Sequence, residues 1–299
     1  MSDVSFLPHE LCAADGVRLS GREYAPRGDG EFTALLLPGI GVPQRALRHL
    51  GAFLATEGIR AFSVDYRGMG DSTDGAAGAS LRVWAERDAT AAFEFVEQRW
   101  QKPVVHFGHS FGGQVVGLAD VFSRAKACIF IASQFGQAKH WDGFERLKVA
   151  AFWRVILPLA SSVFASVPGW TGAGEALPRG VAREWARWGR SENWYLDHVD
   201  GARRRLAAFP RPILAYAASD DPIAPPRAVG ALLATFETAA VERRNLRPAE
   251  LGVRSLGHFG LLRPPAERLW REMLDFARRA VGGNKDPEAT LVARAAVSG

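Results

Sequence analysis

The amino-acid sequence predicts an α/β fold, in which a mostly parallel sheet carries helices on both faces. Two observations support this fold class. Short apolar runs of strand length alternate with longer helical runs through most of the chain. The 299 residues are also 47% hydrophobic and 23% charged, which is ordinary for a folded protein. A chain of this length and composition can form a large core without disulfide or metal support.

The first elements are predicted from apolar runs and turn residues. Two N-terminal strands flank an Asp-Gly turn at residues 15–16. A buried strand at 33–37 ends in a Pro-Gly turn, and a helix follows at 45–56. A further strand at 60–64 ends in a turn rich in aspartate and glycine, and a long helix at 81–98 leads back to the sheet.

The second half of the chain resumes the alternation after one interruption. The predicted elements are strands at 103–107, 126–132, 212–217 and near 251–255, with helices at 114–119 and 265–280. We assign residues 1–133 and 210–281 to the α/β core on this pattern. Residues 282–299 have little to pack against, and we expect a loose tail.

Residues 134–209 interrupt the alternation, because no clear strand occurs there. This stretch is punctuated by prolines and holds six of the nine tryptophans: Trp141, Trp153, Trp170, Trp185, Trp188 and Trp194. We interpret it as a mostly helical insertion. Most of its tryptophans are expected to form the insertion's own core.

Charge and cysteine content narrow the classes of partner. The formal net charge is +5, but the positive charge is spread along the chain, and its densest patch at 203–205 is interpreted as a solvated helix face. We therefore expect no nucleic-acid partner.

The two cysteines give no disulfide framework. The first residues lack the features of a signal peptide, and no apolar run is long enough for stable membrane insertion. These features predict a cytoplasmic protein; the oligomeric state is left open.

The most informative motif is the pattern G-x-S-x-G at residues 108–112 (Gly-His-Ser-Phe-Gly). A strand-like run precedes it and a helix-like run follows it, which is the context of a nucleophile elbow. Such a turn strains the serine backbone, and a Cβ at its glycine positions would collide with the neighbouring strand or helix. The motif makes Ser110 the candidate nucleophile. The alternative is a turn whose serine merely caps the helix.

A serine nucleophile needs a histidine base and a carboxylate that orients the histidine, and elbow enzymes place them in the chain order Ser, Asp or Glu, His. His258 follows the last predicted strand and is flanked by glycines, so it is the candidate base. Asp220 and Asp221 both follow the strand at 212–217. We favour Asp221, which lies just before a short turn, while Asp220 would cap or solvate the loop.

Acyl chemistry also needs hydrogen-bond donors for an oxyanion. In an elbow enzyme one donor is the amide after the nucleophile, here Phe111. The second comes from the loop after the third strand, where Ile40 is our candidate. His109, Trp141 and Trp185 are the residues that we expect at a substrate pocket.

These motifs resemble those of the α/β-hydrolase superfamily, from Thr33 to about Ala280. The turn at 65–72 (Asp-Tyr-Arg-Gly-Met-Gly-Asp-Ser) is similar to a structural turn common in that superfamily. More narrowly, segments at 38–43, 182–188, 224–229 and 257–260 resemble a bacterial group of predicted hydrolases related to serine aminopeptidases and monoacylglycerol-lipase-like enzymes. The resemblance implies a mostly parallel sheet of the eight-stranded type, with the insertion 134–209 as a helical lid. Pro38 stands where many relatives have histidine.

The leading hypothesis is a serine hydrolase that forms an acyl-enzyme on carboxylic esters with a small or medium apolar acyl group. Thioester or amide cleavage and acyl transfer would use the same residues. A ligand-binding protein that keeps the fold without catalysis is the alternative of another class. No dinucleotide fingerprint, phosphate-binding loop or paired metal-ligand spacing occurs, so no cofactor and no metal are expected.

Overall fold

The computed structural model describes residues 5–282, and they contain one eight-stranded sheet with the order β1-β2-β4-β3-β5-β6-β9-β10. Strand β2 runs antiparallel to both of its neighbours, and every other pair in the sheet is parallel. The sheet strands are β1 (Leu7–Cys12), β2 (Arg18–Tyr24), β3 (Thr33–Leu37), β4 (Arg60–Val64), β5 (Val104–His109), β6 (Ala127–Ile131), β9 (Ile213–Ala218) and β10 (Val241–Leu246). This arrangement confirms the predicted mostly parallel sheet.

Helices cover both faces of this sheet and fill the insertion. The α-helices are α1 (Arg48–Thr56), α2 (Leu81–Val83), α3 (Thr90–Trp100), α4 (Phe111–Gln114), α5 (Gly143–Ala151), α6 (Leu157–Val163), α7 (Arg179–Arg190), α8 (Ala202–Ala207), α9 (Pro226–Leu233) and α10 (Glu267–Gly282). A π-helical segment, Trp84–Ala89, joins α2 to α3. The long helix predicted at 81–98 is therefore one continuous helical stretch with a π segment inside it.

The core lies in two layers, one on each face of the sheet. Strand β3 is buried along its whole length, and its side chains alternate between the layers. Leu35 and Leu37 join the layer that contains α3 and the insertion, whereas Leu36 joins the layer under α1 and α10. Neither face of such a strand is exposed to solvent, so both faces carry apolar side chains. These strands therefore appear in the sequence as continuous apolar runs.

The prediction of the last strand was wrong. The structure places β10 at Val241–Leu246, and the residues predicted as a strand near 251–255 follow a short 3-10 helix, Pro248–Leu251. Strand β10 lies at the edge of the sheet and is mostly half-buried, so charged side chains are tolerated on it. Its sequence, Val-Glu-Arg-Arg-Asn-Leu, therefore lacks the apolar pattern by which the buried strands were recognised.

The helix predicted at 114–119 is shorter than expected and begins earlier. Helix α4 starts directly after Ser110 and continues only as a 3-10 turn, Val115–Gly117. A side chain on Gly117 would meet the Tyr195 hydroxyl and Leu206, both from the segment before β9. Residues packed from the insertion therefore occupy the space beside the end of this helix.

The insertion, residues 134–209, is mostly helical but also contains a two-stranded antiparallel ribbon, β7 (Ser166–Val167) with β8 (Leu177–Pro178). A π-helical segment, Phe152–Ile156, joins α5 to α6 just before Pro158. In a π-helix each carbonyl accepts a hydrogen bond from the N–H five residues later, which for Trp153 would be residue 158. Pro158 has no N–H, so the Trp153 carbonyl lacks this partner. The Arg190 guanidinium donates to that carbonyl at 3.0 Å instead.

None of the helices in residues 5–282 combines the length and the apolar character that crossing a bilayer requires. The tail predicted at 282–299 lies outside the described residues except for Gly282, which ends α10.

Candidate active site

Ser110 lies at a sharp turn between β5 and α4, and its backbone is strained. Its φ is 54° and its ψ is −116°, a conformation that side-chain-bearing residues rarely adopt and that costs on the order of 1–3 kcal/mol. The turn closes tightly because of its glycines. A Cβ on Gly108 would overlap the backbone of Gly112 and Gly113, and one on Gly112 would overlap the Leu37 carbonyl. Only glycine fits at these two positions without moving the backbone.

His258 and Asp221 are held together at the same edge of the sheet. The His258 Nδ1 lies 2.8 Å from an Asp221 carboxylate oxygen, and both side chains are buried. The other Asp221 oxygen accepts hydrogen bonds from the amides of Ile223 and Ala224 at 2.8 and 2.9 Å. These contacts fix the carboxylate, and the carboxylate makes Nδ1 the protonated ring nitrogen, which leaves Nε2 free to accept a proton.

Asp220 has a different set of partners. It accepts hydrogen bonds from the Ser255 hydroxyl and from the amides of Leu256 and Gly257, all in the loop that carries His258. Burial opposes ionisation of Asp220, but these hydrogen bonds favour the charged form and hold its pKa below the ordinary value. The carboxylate thus anchors the histidine loop, and within residues 5–282 it forms no hydrogen bond with the imidazole.

His109 supports the same loop from the elbow side. It is fully buried, its Nε2 donates to the His258 carbonyl at 3.0 Å, and the two rings are 4.7 Å apart. Burial is the main cause that lowers the pKa of His109 to about 3, and the nearby imidazole of His258 adds to the effect because two neighbouring imidazoles oppose being charged together. His109 is therefore neutral at physiological pH. Its ring packs between the elbow and the histidine loop and so helps to position His258.

Two backbone amides close to Ser110 donate no hydrogen bond within residues 5–282. Phe111 is the first residue of α4, so its N–H has no partner within the helix. Gly39 packs so closely on the elbow that a Cβ there would lie 2.9 Å from the Ser110 Cβ and 3.3 Å from its Oγ. Ile40 follows in a turn, and within residues 5–282 its amide donates no hydrogen bond. The geometry therefore supplies two free donors beside the serine.

The insertion contacts the loops on both sides of Ser110. On one side the Glu175 amide donates to the Gly41 carbonyl at 2.8 Å. On the other side the Trp141 indole donates to the Pro222 carbonyl at 2.8 Å, next to Asp221. Ser110 is 8% exposed in this arrangement. The insertion thus holds the loops on both sides of Ser110, and Trp141 braces the aspartate loop.

Trp185 lies in an aromatic cluster of the insertion. Its ring is 5.0 Å from Trp153 and 5.5 Å from Phe152, and both contacts are edge-on. Trp153, Trp188 and Trp194 are buried in the same layer, whereas Trp170 is 78% exposed. Most tryptophans of the insertion therefore pack its own core, and Trp194 attaches it to helix α4, because its indole donates to the Gln114 side chain.

The candidate triad is brought together only in part. The His258–Asp221 hydrogen bond is formed, and His109 links the histidine loop to the elbow. Within residues 5–282 the Ser110 hydroxyl makes no hydrogen bond. Nucleophile–base contacts are often loose in unliganded enzymes and tighten when substrate binds. The same part of the chain holds no cluster of three His, Cys, Asp or Glu side chains suited to a metal ion.

Sequence reasoning did not find the residues that support the catalytic loops. Gln134 donates to the Ile223 carbonyl at 3.3 Å, and Ser133 donates to the Gly108 carbonyl at 3.1 Å. Both residues lie just after β6, separated from it by Ala132. The available signal was their position: polar residues at the carboxyl end of a buried parallel strand lie at the edge where ligand sites form.

His106, inside β5, makes the elbow sensitive to acid. Its Nε2 donates to the Gly112 carbonyl at 2.7 Å, and burial lowers its pKa to about 4, although that hydrogen bond favours the charged form. An unfolded histidine titrates near 6.5, so the unfolded chain binds a proton over a pH range where the folded chain does not. The stability contributed by neutral His106 is complete above about pH 6.5 and is lost as the pH falls towards 4.

As the pH falls from about 6.5 towards 4, we expect the titration of His106 to reduce the free energy of unfolding by up to about 1.4 kcal/mol per pH unit. Urea unfolding at pH 7, 6 and 5, for the wild type and His106→Gln, measures the effect. The variant should be less stable at pH 7 but should show a shallower loss below pH 6.5. Parallel curves for the two proteins would contradict the prediction.

Comparison with solved structures finds the same fold in several hydrolases. GrgF, an alpha/beta hydrolase from Penicillium sp. sh18, is 20% identical with a TM-score of 0.63, covering 93% of this chain and 100% of that chain. The esterase EaEST from Exiguobacterium antarcticum is 17% identical with a TM-score of 0.62, covering 91% and 100%. Est1E from Butyrivibrio proteoclasticus, solved with ferulic acid, is 16% identical with a TM-score of 0.60, covering 89% and 98%.

A search of curated proteins finds no match to this chain. A family model described as the alpha/beta hydrolase family matches residues 34–269, which span the sheet from β3 onward, the elbow, the insertion and the start of α10. This match agrees with the fold of the solved structures and with the resemblance inferred from the sequence motifs. Because it covers most of the chain, the protein belongs to the alpha/beta hydrolase family.

Proposed function

We propose that the protein is a serine hydrolase in which Ser110, His258 and Asp221 form the catalytic triad. The observation that carries the proposal is the pairing of a strained, elbow-bound Ser110 with an imidazole whose Nδ1 is held by a buried carboxylate at 2.8 Å. A helix-capping serine needs neither the strain nor the histidine–aspartate pair. Membership of a hydrolase family and the esterases among the similar folds support the same reaction class.

In the proposed reaction, the Ser110 hydroxyl attacks the carbonyl carbon of the substrate while the His258 Nε2 takes its proton. The Asp221 carboxylate stabilises the imidazolium that forms. The amides of Phe111 and Ile40 stabilise the oxyanion, and their positions beside Ser110 support this role. The imidazolium then protonates the leaving group, and water attacks the acyl-enzyme by the same route in reverse.

We propose carboxylic esters with a small or medium apolar acyl group as substrates. The insertion contacts the loops on both sides of Ser110 and is rich in aromatic residues, which favours an apolar acyl group over a charged one. Esterase neighbours support ester over amide chemistry, although thioester hydrolysis and acyl transfer use the same residues. We also propose a cytoplasmic location, which is consistent with two unpaired cysteines, Cys12 and Cys128.

Covalent labelling with a fluorophosphonate probe tests the nucleophile without a known substrate. We expect wild-type protein to be labelled and Ser110→Ala to lose all labelling. Ser123→Ala is the matched control, because Ser123 is an exposed serine whose hydroxyl only donates to the Asp120 carbonyl. Folded wild-type protein that resists the probe would favour the non-catalytic ligand-binding alternative.

A further inference from the structure

The insertion presents apolar side chains to solvent along one helical stretch. Of the twelve large hydrophobic side chains that are exposed within residues 5–282, eight lie between residues 144 and 170. Five of them follow the helical stretch 143–163 at spacings of three to eight residues, and we name them the apolar stripe: Phe144, Leu147, Val155, Leu159 and Val163. Phe144 and Leu147 are neighbours on α5, and Val155, Leu159 and Val163 follow one another at steps of four, which keeps each group on one side of its helix; the π-helical segment Phe152–Ile156 lies between the two groups.

The stripe is not the buried side of this helix. Trp153, Leu157 and Ala160 are its inward residues and pack against the core of the protein. Helix α5 contains no buried residue, and its large apolar side chains Phe144 and Leu147 are 70% and 64% exposed. A surface helix ordinarily carries polar residues on its outer face. Contiguous exposed apolar side chains on a folded protein mark an interaction surface.

Positive charge accompanies the stripe. Arg146, Lys148 and Arg154 are exposed on the same helical stretch, where Glu145 is the single acidic residue. Within residues 5–282, neither Arg146 nor Arg154 has a carboxylate within salt-bridge distance. Lys148 lies over the Phe144 ring at 4.9 Å from its centroid and pairs with Glu145. The whole insertion has eleven Lys and Arg residues against seven Asp and Glu residues.

This combination of charges favours one occupant. A second copy of the chain would bring two positively charged stripes together, and like charges across an interface oppose association. An anionic lipid surface offers apolar chains for the stripe and negative headgroups for the flanking cations. Trp170, near Phe164 at the end of the helical stretch and 78% exposed, has the amphipathic ring that is enriched at membrane interfaces.

We propose that the apolar stripe, with Arg146 and Arg154, docks the protein reversibly on an anionic lipid surface. The bound helix would lie in the plane of the interface with its apolar side chains at the headgroup boundary. The surface belongs to the insertion that contacts the loops beside Ser110, so docking would place that insertion against lipid. The proposal itself rests on the exposed residues and does not require that Ser110 be a nucleophile.

Co-sedimentation with vesicles tests the proposal. Wild-type protein is incubated with phosphatidylcholine vesicles and with vesicles that contain phosphatidylglycerol, at low and high salt. We expect binding to the anionic vesicles only, and weaker binding as salt rises. The double variant Leu147→Gln/Leu159→Gln should bind at least roughly tenfold more weakly, because two apolar side chains are lost from the interface. Leu7→Gln is its matched control, at a leucine that is 53% exposed outside the insertion.

A second pair of variants tests the contribution of charge. Arg146→Gln/Arg154→Gln should weaken binding to anionic vesicles by roughly tenfold or more, since each cation near an anionic surface contributes about 1 kcal/mol. Arg203→Gln/Arg204→Gln changes the net charge equally, at exposed positions in α8, and should bind like the wild type. Thermal unfolding and probe labelling of each variant confirm that the fold and the serine are intact.

Three outcomes would overturn the proposal. The first is that the protein binds neither vesicle type at low salt. The second is that it binds both vesicle types equally. The third is concentration-dependent dimerisation in analytical ultracentrifugation that Leu147→Gln/Leu159→Gln abolishes, which would assign the stripe to a second copy of the chain. None of these results depends on turnover, so they are separate from the labelling test of Ser110.

Discussion

Replacing Asp221 with asparagine is expected to lower kcat for ester hydrolysis by about four orders of magnitude. The His258 Nδ1 lies 2.8 Å from the Asp221 carboxylate, and an amide there would present an N–H or a neutral oxygen instead of a charge. The imidazole would adopt the wrong tautomer or lose the stabilisation of its charged form. The measurement is kcat with a generic aryl ester, after the labelling test has established activity.

Asp220→Asn is the matched control, since it makes the same chemical change one residue earlier. Asp220 holds the loop through Ser255, Leu256 and Gly257, and an asparagine keeps one oxygen that accepts hydrogen bonds. We expect about 1–2 kcal/mol lower stability and a loss in kcat within about tenfold. A larger kcat loss in Asp220→Asn than in Asp221→Asn would reverse the assignment of the orienting carboxylate.

Gly112→Ala is expected to have the largest effect on the elbow itself. The added Cβ would overlap the Leu37 carbonyl oxygen, which belongs to the backbone of the neighbouring strand and cannot rotate away. We expect the free energy of unfolding to fall by about 3 kcal/mol, and more if β3 cannot shift. Probe labelling should also fall, because any shift of the turn moves Ser110.

Gly78→Ala gives the matched control for this change. A Cβ on Gly78 meets nothing within 4 Å, and its φ lies outside the left-handed region, so the change in stability should be within about 0.5 kcal/mol. Denaturant unfolding of the two variants and the wild type measures the difference. Equal stabilities for Gly112→Ala and Gly78→Ala would mean that the elbow is not packed against β3 as described.

The fold was predictable because its central strands are buried on both faces. The runs at 33–37 and 60–64 coincide with β3 and β4, since a short, mostly apolar run between turns has few alternatives to a buried parallel strand. Strand β10 was missed for the complementary reason. At the edge of the sheet, its charged residues face water and are held by backbone pairing to β9, which leaves no apolar pattern to recognise.

The sequence by itself determined the family, the central strands of the sheet and the position of the strained serine, because glycine spacing and apolar runs encode local backbone and burial. Only the tertiary structure decided which of two adjacent aspartates contacts His258. Consecutive residues in a loop point in different directions, and their partners lie 35 to 37 residues away. It also decided that Trp141 braces the Pro222 loop and that the apolar stripe faces solvent. Periodicity identifies an apolar helix face, but the packing of distant elements determines whether that face is buried.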